Sequence, residues 1–499
     1  MENEVVLVAF YNEKALGVRY LANALEKSGY HPHIICIKTF HSKSPKKVTD
    51  LELSLLQNLI QKIQPIFIGL SVMSSCYLET VQAVNAMLRE NFSIPIIWGG
   101  VYATLEPKRS AKQCSYVMRG EGEETIVEIA NLLQKHQSLS SVMNLAYWDG
   151  PIYAENEIRP LCPDIDRYGY PSIGRGDIYL IHHNKIRKGD PLLSSFTYEL
   201  SASRGCPFSC SYCSSVNLRR LYAGKGPFLR FRKVDSVIQE LKEAKEKIPH
   251  LKVIHFWDEI FSDEKGWIEE FASRYQKEIR LPFRIWGHPL KIEEKNIALL
   301  VQAGLYQISV GIQSGSPEIR KKIFHRSETQ DQIIRTSKIL SRCKVPSVYY
   351  DLMICHPFES LDQLKESYRL CMQLEPPFKL NIHGLNFLPA TDIVTMALER
   401  NIFTREQLEQ MMYCPLQEQY DRYWGPNAKN FHDEAKKESW CSLIFLTQFP
   451  EIRDRVEDLA ILAETKLGEK EIFQLKHRME YRFRFHVLKE KVLLSLKSR

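Results

Sequence analysis

Three cysteines fall within eight residues, in the stretch Arg204-Gly205-Cys206-Pro207-Phe208-Ser209-Cys210-Ser211-Tyr212-Cys213. The spacing is C-x₃-C-x₂-C, directly after the strand-like run Tyr198–Ser201. Three thiolates so placed can wrap one corner of an iron–sulfur cubane and ligate three of its irons. Such clusters usually take four cysteines, so the fourth iron stays open to a substrate or cofactor. Zinc is the competing occupant. It usually takes four protein ligands with C-x₂₋₄-C pairs, and His255 or His288 could supply the fourth. The place of the loop, after the first strand of a βα series, favours the cluster.

The elements that position this loop come in two series. In residues 1–138, Glu4–Tyr11, His33–Lys38, Pro65–Ser71, Pro95–Trp98 and Tyr116–Arg119 read as strands. Leu16–Ser28, Leu51–Ile63, Leu78–Glu90 and Glu123–Gln134 carry apolar residues at helical spacing. The alternation predicts an α/β fold with a doubly wound, Rossmann-like parallel sheet. Ligands of such sheets sit at the carboxyl ends of the strands, here Asn12, Ser71, Ser74, Gly99, Gly100 and Gly120. The glycines permit close backbone approach to a large ligand, or are simply turn glycines. Residues 139–197 read as a hairpin about Asp149-Gly150-Pro151 followed by a linker rich in Pro, Gly and Asp.

The second series occupies residues 198–395. Tyr198–Ser201, Val253–Trp257, Phe283–Trp286, Gln307–Ile312, Val348–Ile354 and Asn381–Leu388 are its strands. Val234–Lys247, Glu293–Ala303 and Leu361–Gln373 are among its helices. Six strands with crossover helices predict a partial (β/α)6 barrel. Residues 396–499 are polar, charged and mainly helical, with Ile472–Leu496 a terminal helix.

At 499 residues, 44% hydrophobic and 25% charged, the composition is that of a soluble globular protein. The net charge of +7 is mild against 67 basic and 60 acidic residues, so nucleic acid is not an expected partner. The basic-aromatic run Lys476–Phe485 could track phosphate and stack bases, but at helical spacing it reads as an amphipathic helix with a solvated basic face. No stretch has the ~18 apolar residues of a membrane span. MENEVVLVAF is not an export signal, which points to a reducing cytoplasm. Nine further cysteines are scattered, and clustered thiols in that compartment favour metal over disulfide.

With these residues in view, 198–389 resembles the radical S-adenosylmethionine (SAM) superfamily. The resemblance implies that Cys206, Cys210 and Cys213 hold a 4Fe–4S cluster whose open iron binds SAM, giving a 5′-deoxyadenosyl radical. It implies that Tyr212 lies against the adenine and that Asp258 and Glu259, after the second strand, bind the SAM amino group. Gly311-Ile312-Gln313-Ser314-Gly315 is similar to the ribose-binding Gly-x-Glu-Ser, with Gln313 in place of the acid. Arg326 stands where relatives bind the SAM carboxylate, and Leu388-Pro389-Ala390-Thr391 echoes a Pro-Gly-Thr turn. Asp258 as a helix cap and Arg326 in a surface ion pair are the plainer alternatives.

The N-terminal segments Leu16–Ala22, Ile68–Ser71, Trp98–Thr104 and Arg119–Glu123 resemble the cobalamin-binding branch of that superfamily. This adds Leu16, Gly17, Thr104, Glu121 and Gly122 to the cobalamin-binding candidates. Branches that ligate cobalt through histidine carry Asp-x-His-x-x-Gly, whereas this chain has Asn12-Glu13-Lys14-Ala15-Leu16-Gly17. A protonated Lys14 has no lone pair for cobalt, so cobalamin is expected without a histidine ligand. His31 and His33 read as surface or capping residues.

The resemblance implies a cobalamin-dependent methyltransferase, using the 5′-deoxyadenosyl radical and methylcobalamin on an unactivated carbon or phosphorus centre. Ring contraction or oxidative cyclisation without methyl transfer is the alternative, and a non-enzymatic cobalamin sensor a more distant one. Methylthio transfer is less expected: its enzymes carry a second cluster on N-terminal cysteines, and Cys36, Cys76 and Cys114, though their spacing permits one, are spread over a sheet already read as cobalamin-like. The expected partners are a small-molecule or peptide substrate and an electron donor such as flavodoxin or ferredoxin. His288, Tyr350, Asp351, His356 and His383 are candidates at the barrel mouth, with no pattern to say which acts.

Overall fold

The computed structural model describes residues 3–41, 45–261, 264, 266–424 and 435–496. β-Branched and aliphatic runs make the first sheet: β1 (Glu4–Phe10), β2 (His31–Ile37), β3 (Ile68–Ser71), β4 (Ile96–Gly99), β5 (Tyr116–Met118), β6 (Leu145–Asp149), β7 (Ile152–Glu155), β8 (Ile178–His182) and β9 (Lys185–Lys188). Their order is β7-β6-β5-β4-β3-β1-β2-β8-β9. The pairings from β8 across to β5 are parallel, while β6, β7 and β9 are antiparallel edges. Val6, Val8 and Phe10 bury against Leu56, Ile60, Val81 and Leu88 of the helices on one face. Val5, Leu7 and Ala9 bury against Val18, Leu25, Ile126 and Ile129 on the other. Alternate strand residues thus feed both layers of a doubly wound domain.

The segment read as a linker forms strands β8 and β9 on the β2 edge of this sheet. Its Pro and Gly content masked two short strands. What secures it is a buried ion pair: Arg19 Nη1 and Nη2 donate to Asp190 at 3.0 and 2.6 Å.

The second sheet holds β10 (Thr197–Leu200), β13 (Val253–Phe256), β14 (Phe283–Gly287), β15 (Leu305–Gln313), β16 (Ser347–Met353) and β17 (Lys379–His383) in sequence order. Its pairings are all parallel, the open six-strand barrel that the spacing predicts. A two-stranded antiparallel ribbon, β11 (Ser203–Arg204) with β12 (Arg230–Phe231), pins the chain just before the cysteines. Among the C-terminal helices, Ala435–Leu446, Arg453–Ile461 and Lys466–Leu496 add Leu443, Ile444, Val456, Ile472 and Met479 to the barrel's outer core. Leu416 and Tyr420 instead join the core of the first sheet. Cys355 and Cys441, read as isolated thiols, are joined in a disulfide. No described helix is long and apolar enough to cross a membrane.

A candidate cofactor site between the two sheets

The cysteine loop lies between β11 and the helix Ser214–Leu221, which Cys213 precedes as cap. Every sulfur receives a donor: the Phe208 N–H on Cys206, the Ser215 N–H on Cys213, and on Cys210 both the Tyr212 hydroxyl and Arg326 Nη1, the latter 3.8 Å from Sγ. Burial pushes the Cys206 thiol up to about 12 and that of Cys213 to about 11. Thiolates there need a bound cation to offset the cost of desolvation. Three sulfurs with hydrogen-bond donors, with no fourth cysteine in the loop, fit a cluster with one open iron.

Arg326 is buried and not on the surface. It donates to Glu328 Oε1 at 2.6 Å, to the Gly311 carbonyl at 2.7 Å and to the Tyr212 hydroxyl at 3.3 Å. Tyr212 sets its ring edge-on to Phe324. Gln313 adopts φ +70 where β15 slips register against β16. Glu259 lines the cavity beside the loop, and burial raises its carboxyl.

Two expected SAM residues lie elsewhere. Asp258 is 2% exposed. It accepts from Ala202 N–H at 3.1 Å and Ser203 Oγ at 2.5 Å, so it braces the start of the loop; burial raises it to about 6. Ser314 is fully buried and its hydroxyl accepts from Ser316 N–H inside a turn. Of the mouth candidates, Tyr350 points into the core against Phe378. His288 stacks on Phe208 with ring centres 3.6 Å apart, and His356 packs on Phe324. Asp351 accepts from Asn381 at 2.8 Å and lies 4.0 Å from His383.

Two cavities of about 280 and 300 Å³ meet between the sheets. The inner one is a slot between the β1–β3–β4 face and the helices Leu16–Lys27 and Glu123–Gln134. Leu16, Gly17, Ser71, Gly99 and Gly122 line it. A Cβ on Gly69 would stand 2.9 Å from Leu7 Cδ2, so the glycine keeps the slot open. The outer cavity takes in Thr104, Gly205, Tyr222, Trp257 and Glu259. Met73, Gly100, Gly120, Glu121, Ser201 and Arg204 line both, so the space is continuous. Gly120 has φ +75, and a Cβ there would lie 2.0 Å from the Tyr222 hydroxyl. Asn12 and Ser74 line neither cavity: Asn12 accepts from Lys14 and Ala15 N–H, and Ser74 from Cys76 N–H. Their side chains close local turns.

Charged groups clamp this space, of which only Glu121 was among the sequence-based candidates. Arg204 donates to Glu123 at 2.6 Å, and Arg230 grips Glu121 through both terminal nitrogens. The Glu121 N–H donates to the Tyr222 hydroxyl. Lys14 donates to Thr197 Oγ1 at 2.5 Å and Glu199 Oε1 at 2.6 Å, on the first barrel strand. Burial opposes the Glu199 charge, yet His255 and Lys14 hold its carboxyl down at about 2. Alternating Arg230-Phe231-Arg232 was the one available hint of a charged strand at this junction.

Residues 200–371 match the model of the radical SAM superfamily, and residues 4–130 that of the B12 binding domain. The two matches cover more than half of the chain, which is a radical SAM enzyme. Within that superfamily it belongs to the cobalamin-binding branch. An uncharacterized methyltransferase of Pyrococcus horikoshii, PH0819, is 25% identical over 333 residues, covering 65% of this chain and 68% of the relative. The anaerobic magnesium-protoporphyrin IX monomethyl ester cyclase of Cereibacter sphaeroides is 21% identical over 381 residues, covering 72% of this chain and only 56% of the relative. The solved radical SAM methyltransferase TsrM from Kitasatospora setae superimposes with a TM-score of 0.64 at 16% identity, over 80% of this chain and 76% of that one. At that identity the likeness concerns the fold.

Proposed function

We propose that the chain is a cobalamin-dependent radical SAM methyltransferase acting on an unactivated carbon or phosphorus centre of a small molecule or peptide. The observation that carries this reading is the single open space running from Gly17 and Gly69 to Glu259 beside the cysteine loop. When bound, the cluster with SAM supplies a 5′-deoxyadenosyl radical, and cobalamin supplies a methyl group.

The chain's own residues hold and orient. Cys206, Cys210 and Cys213 hold the cluster, and the donors on their sulfurs disperse its negative charge. Tyr212, Glu259, Gln313 and Arg326 surround the SAM position, with Asp258 bracing the loop behind them. Leu16, Gly17, Ser71, Gly99, Gly100, Thr104, Gly120 and Gly122 wall the cobalamin position. Lys14, committed to Glu199, leaves cobalamin without a histidine ligand from that loop. A flavodoxin or ferredoxin of the cytoplasm supplies the electron.

The name of the archaeal relative supports methyl transfer. That of the bacterial cyclase supports a second reading, oxidative cyclisation with the same cofactors. Anaerobic reconstitution with iron, sulfide and hydroxocobalamin, followed by product analysis, separates the two. Methyl transfer yields S-adenosylhomocysteine together with 5′-deoxyadenosine; in either case a reduced cob(II) spectrum without nitrogen superhyperfine splitting reports cobalamin without a histidine ligand. 5′-Deoxyadenosine without S-adenosylhomocysteine selects cyclisation. A cluster without retained cobalamin overturns both.

A further inference from the structure

The inner face of the barrel carries a cation that the chain itself does not neutralise. Along β14, Phe283 and Ile285 bury among the outer helices, so Arg284 and Trp286 face the lumen. On β13, Ile254 and Phe256 face outward, which puts His255 and Trp257 inside. The register sets His255 beside Arg284, and Arg284 beside Gln307. Below the mouth formed by Glu259 and His288, the lumen therefore holds two tryptophans above one guanidinium.

Arg284 has no ion pair and no hydrogen bond among the described residues, and its Nε is buried without a partner. The Trp257 ring lies 5.4 Å from the guanidinium carbon, and Tyr306, Glu199 and Tyr349 attract Arg284 without a direct polar contact. Trp257 and Trp286 lie 5.9 Å apart, and Trp257 is 42% exposed, toward the cofactor cavity. The carboxylate that attracts it, Glu199, is already shared by Lys14 at 2.6 Å and His255 at 3.8 Å. Other buried arginines have defined acceptors: Arg19 pairs with Asp190, Arg230 with Glu121 and Arg326 with Glu328, while Arg320 and Arg453 donate to backbone carbonyls. A half-buried guanidinium left unpaired is costly unless something else supplies the oxyanion.

We propose that Arg284 binds an anionic group of the substrate, a carboxylate or a phosphonate-type oxyanion, while Trp257 and Trp286 receive a flat apolar part next to it. A planar fork of donors suits both oxyanions, and indole faces favour flat rings. The inference rests on the radical-enzyme reading of the barrel. It does not depend on methyl transfer.

The test uses the reconstituted holoenzyme and three probes of one shape: naphthylacetate, naphthylmethylphosphonate and the neutral naphthylacetamide, each followed by equilibrium dialysis. An anion is expected to be retained at least about tenfold better than the amide, as befits a charge-assisted contact. The better-held anion identifies carboxylate or phosphonate. Arg284→Gln abolishes this preference, and Arg284→Lys, which keeps the charge but not the fork, restores part of it. Iron and cobalamin content report folding of each variant, and where Arg284→Gln fails that check the lysine variant decides. Equal retention of charged and neutral probes, or of none, overturns the proposal. So does loss of the SAM-induced change in the cluster spectrum in a folded Arg284→Gln protein, which assigns the arginine to SAM. Failure of the methyltransferase reading appears separately, as absent S-adenosylhomocysteine with the anion preference intact.

Discussion

The cysteine loop and the inner slot hold their shapes in opposite ways. The loop gathers three thiols where burial opposes their ionisation, so its functional state depends on what it binds. The slot is a gap between close-packed layers, held open by small residues and braced by charges the chain neutralises itself: Arg19 with Asp190, Arg204 with Glu123, Arg230 with Glu121. A site whose ligand supplies the charge is easily emptied by one substitution. A site made of space is emptied by filling it, and the fold survives.

The largest effect is expected at the loop. Cys206→Ala should lose cluster iron and lower 5′-deoxyadenosine formation by about three orders of magnitude or more, the scale on which essential catalytic groups act. Cobalamin retention should stay near the wild-type level, measured by absorbance after desalting. Parallel loss of cobalamin would break the comparison, because the slot would then depend on the loop.

Next comes Arg19→Ala, which leaves Asp190 buried with only the Gly174 and Leu192 N–H groups and frees the Lys14 carbonyl that Arg19 Nε now reaches. Breaking such a buried pair costs about 3–5 kcal/mol, readable as a lower urea midpoint. On warming, cobalamin should leave this variant before iron does. The opposite order would place the weak point in the loop.

Gly17→Leu sharpens the contrast with a smaller effect. A Cβ on Gly17 meets nothing within 4 Å, and the residue lines the slot from inside the helix Leu16–Lys27. The substitution should reduce cobalamin retention at least about tenfold, while stability stays level or rises, since glycine inside a helix costs about 0.5–1 kcal/mol. A destabilised protein would show that the slot is not free space.

The same contrast explains what was legible from residues alone. The loop is local, and C-x₃-C-x₂-C carries its chemistry within eight positions. Both parallel sheets were legible from hydrophobic periodicity, with strand ends shifted by a few residues. β8 and β9 were not, because a short run such as Ile178–His182 becomes a strand only by lying on β2. The slot was half legible: the glycines were visible, but Ser201, Arg204 and Arg232 reach it from about a hundred positions away along the chain. Asp258 and Glu259 show the limit of a motif: they follow β13 in irregular backbone, where Asp258 turns back to Ala202 and Ser203 and only Glu259 reaches the cavity.

The smallest effect lies at the opposite end of the first sheet from the slot. His31 Nδ1 is 3.1 Å from Glu4 and its Nε2 2.9 Å from Asp177, while His33, buried and no surface residue, meets the same Glu4 oxygen at 2.5 Å. Hydrogen bonds to Asp177 and Glu4 outweigh burial and raise the His31 pKa. Burial opposes the charges on Glu4 and Asp177, but the histidines hold both carboxyls below their usual range. A raised histidine stabilises the fold fully below its unfolded value of about 6.5 and loses that contribution as pH climbs through its higher folded value. The lowered carboxyls contribute above their unfolded values of about 4 and lose it as pH falls through their lower folded values. The cluster is thus strongest between about pH 4 and 6.5, and solvent exposure limits it to under about 1 kcal/mol. Urea unfolding of wild type and His31→Ala should differ at pH 5.5 and converge by about pH 8.5, as the imidazolium is lost. Cobalamin retention should be equal in both, since these strands carry the slot on their far end. A retention defect in His31→Ala would mean that the sheet transmits strain along β2, against the independence of the two regions.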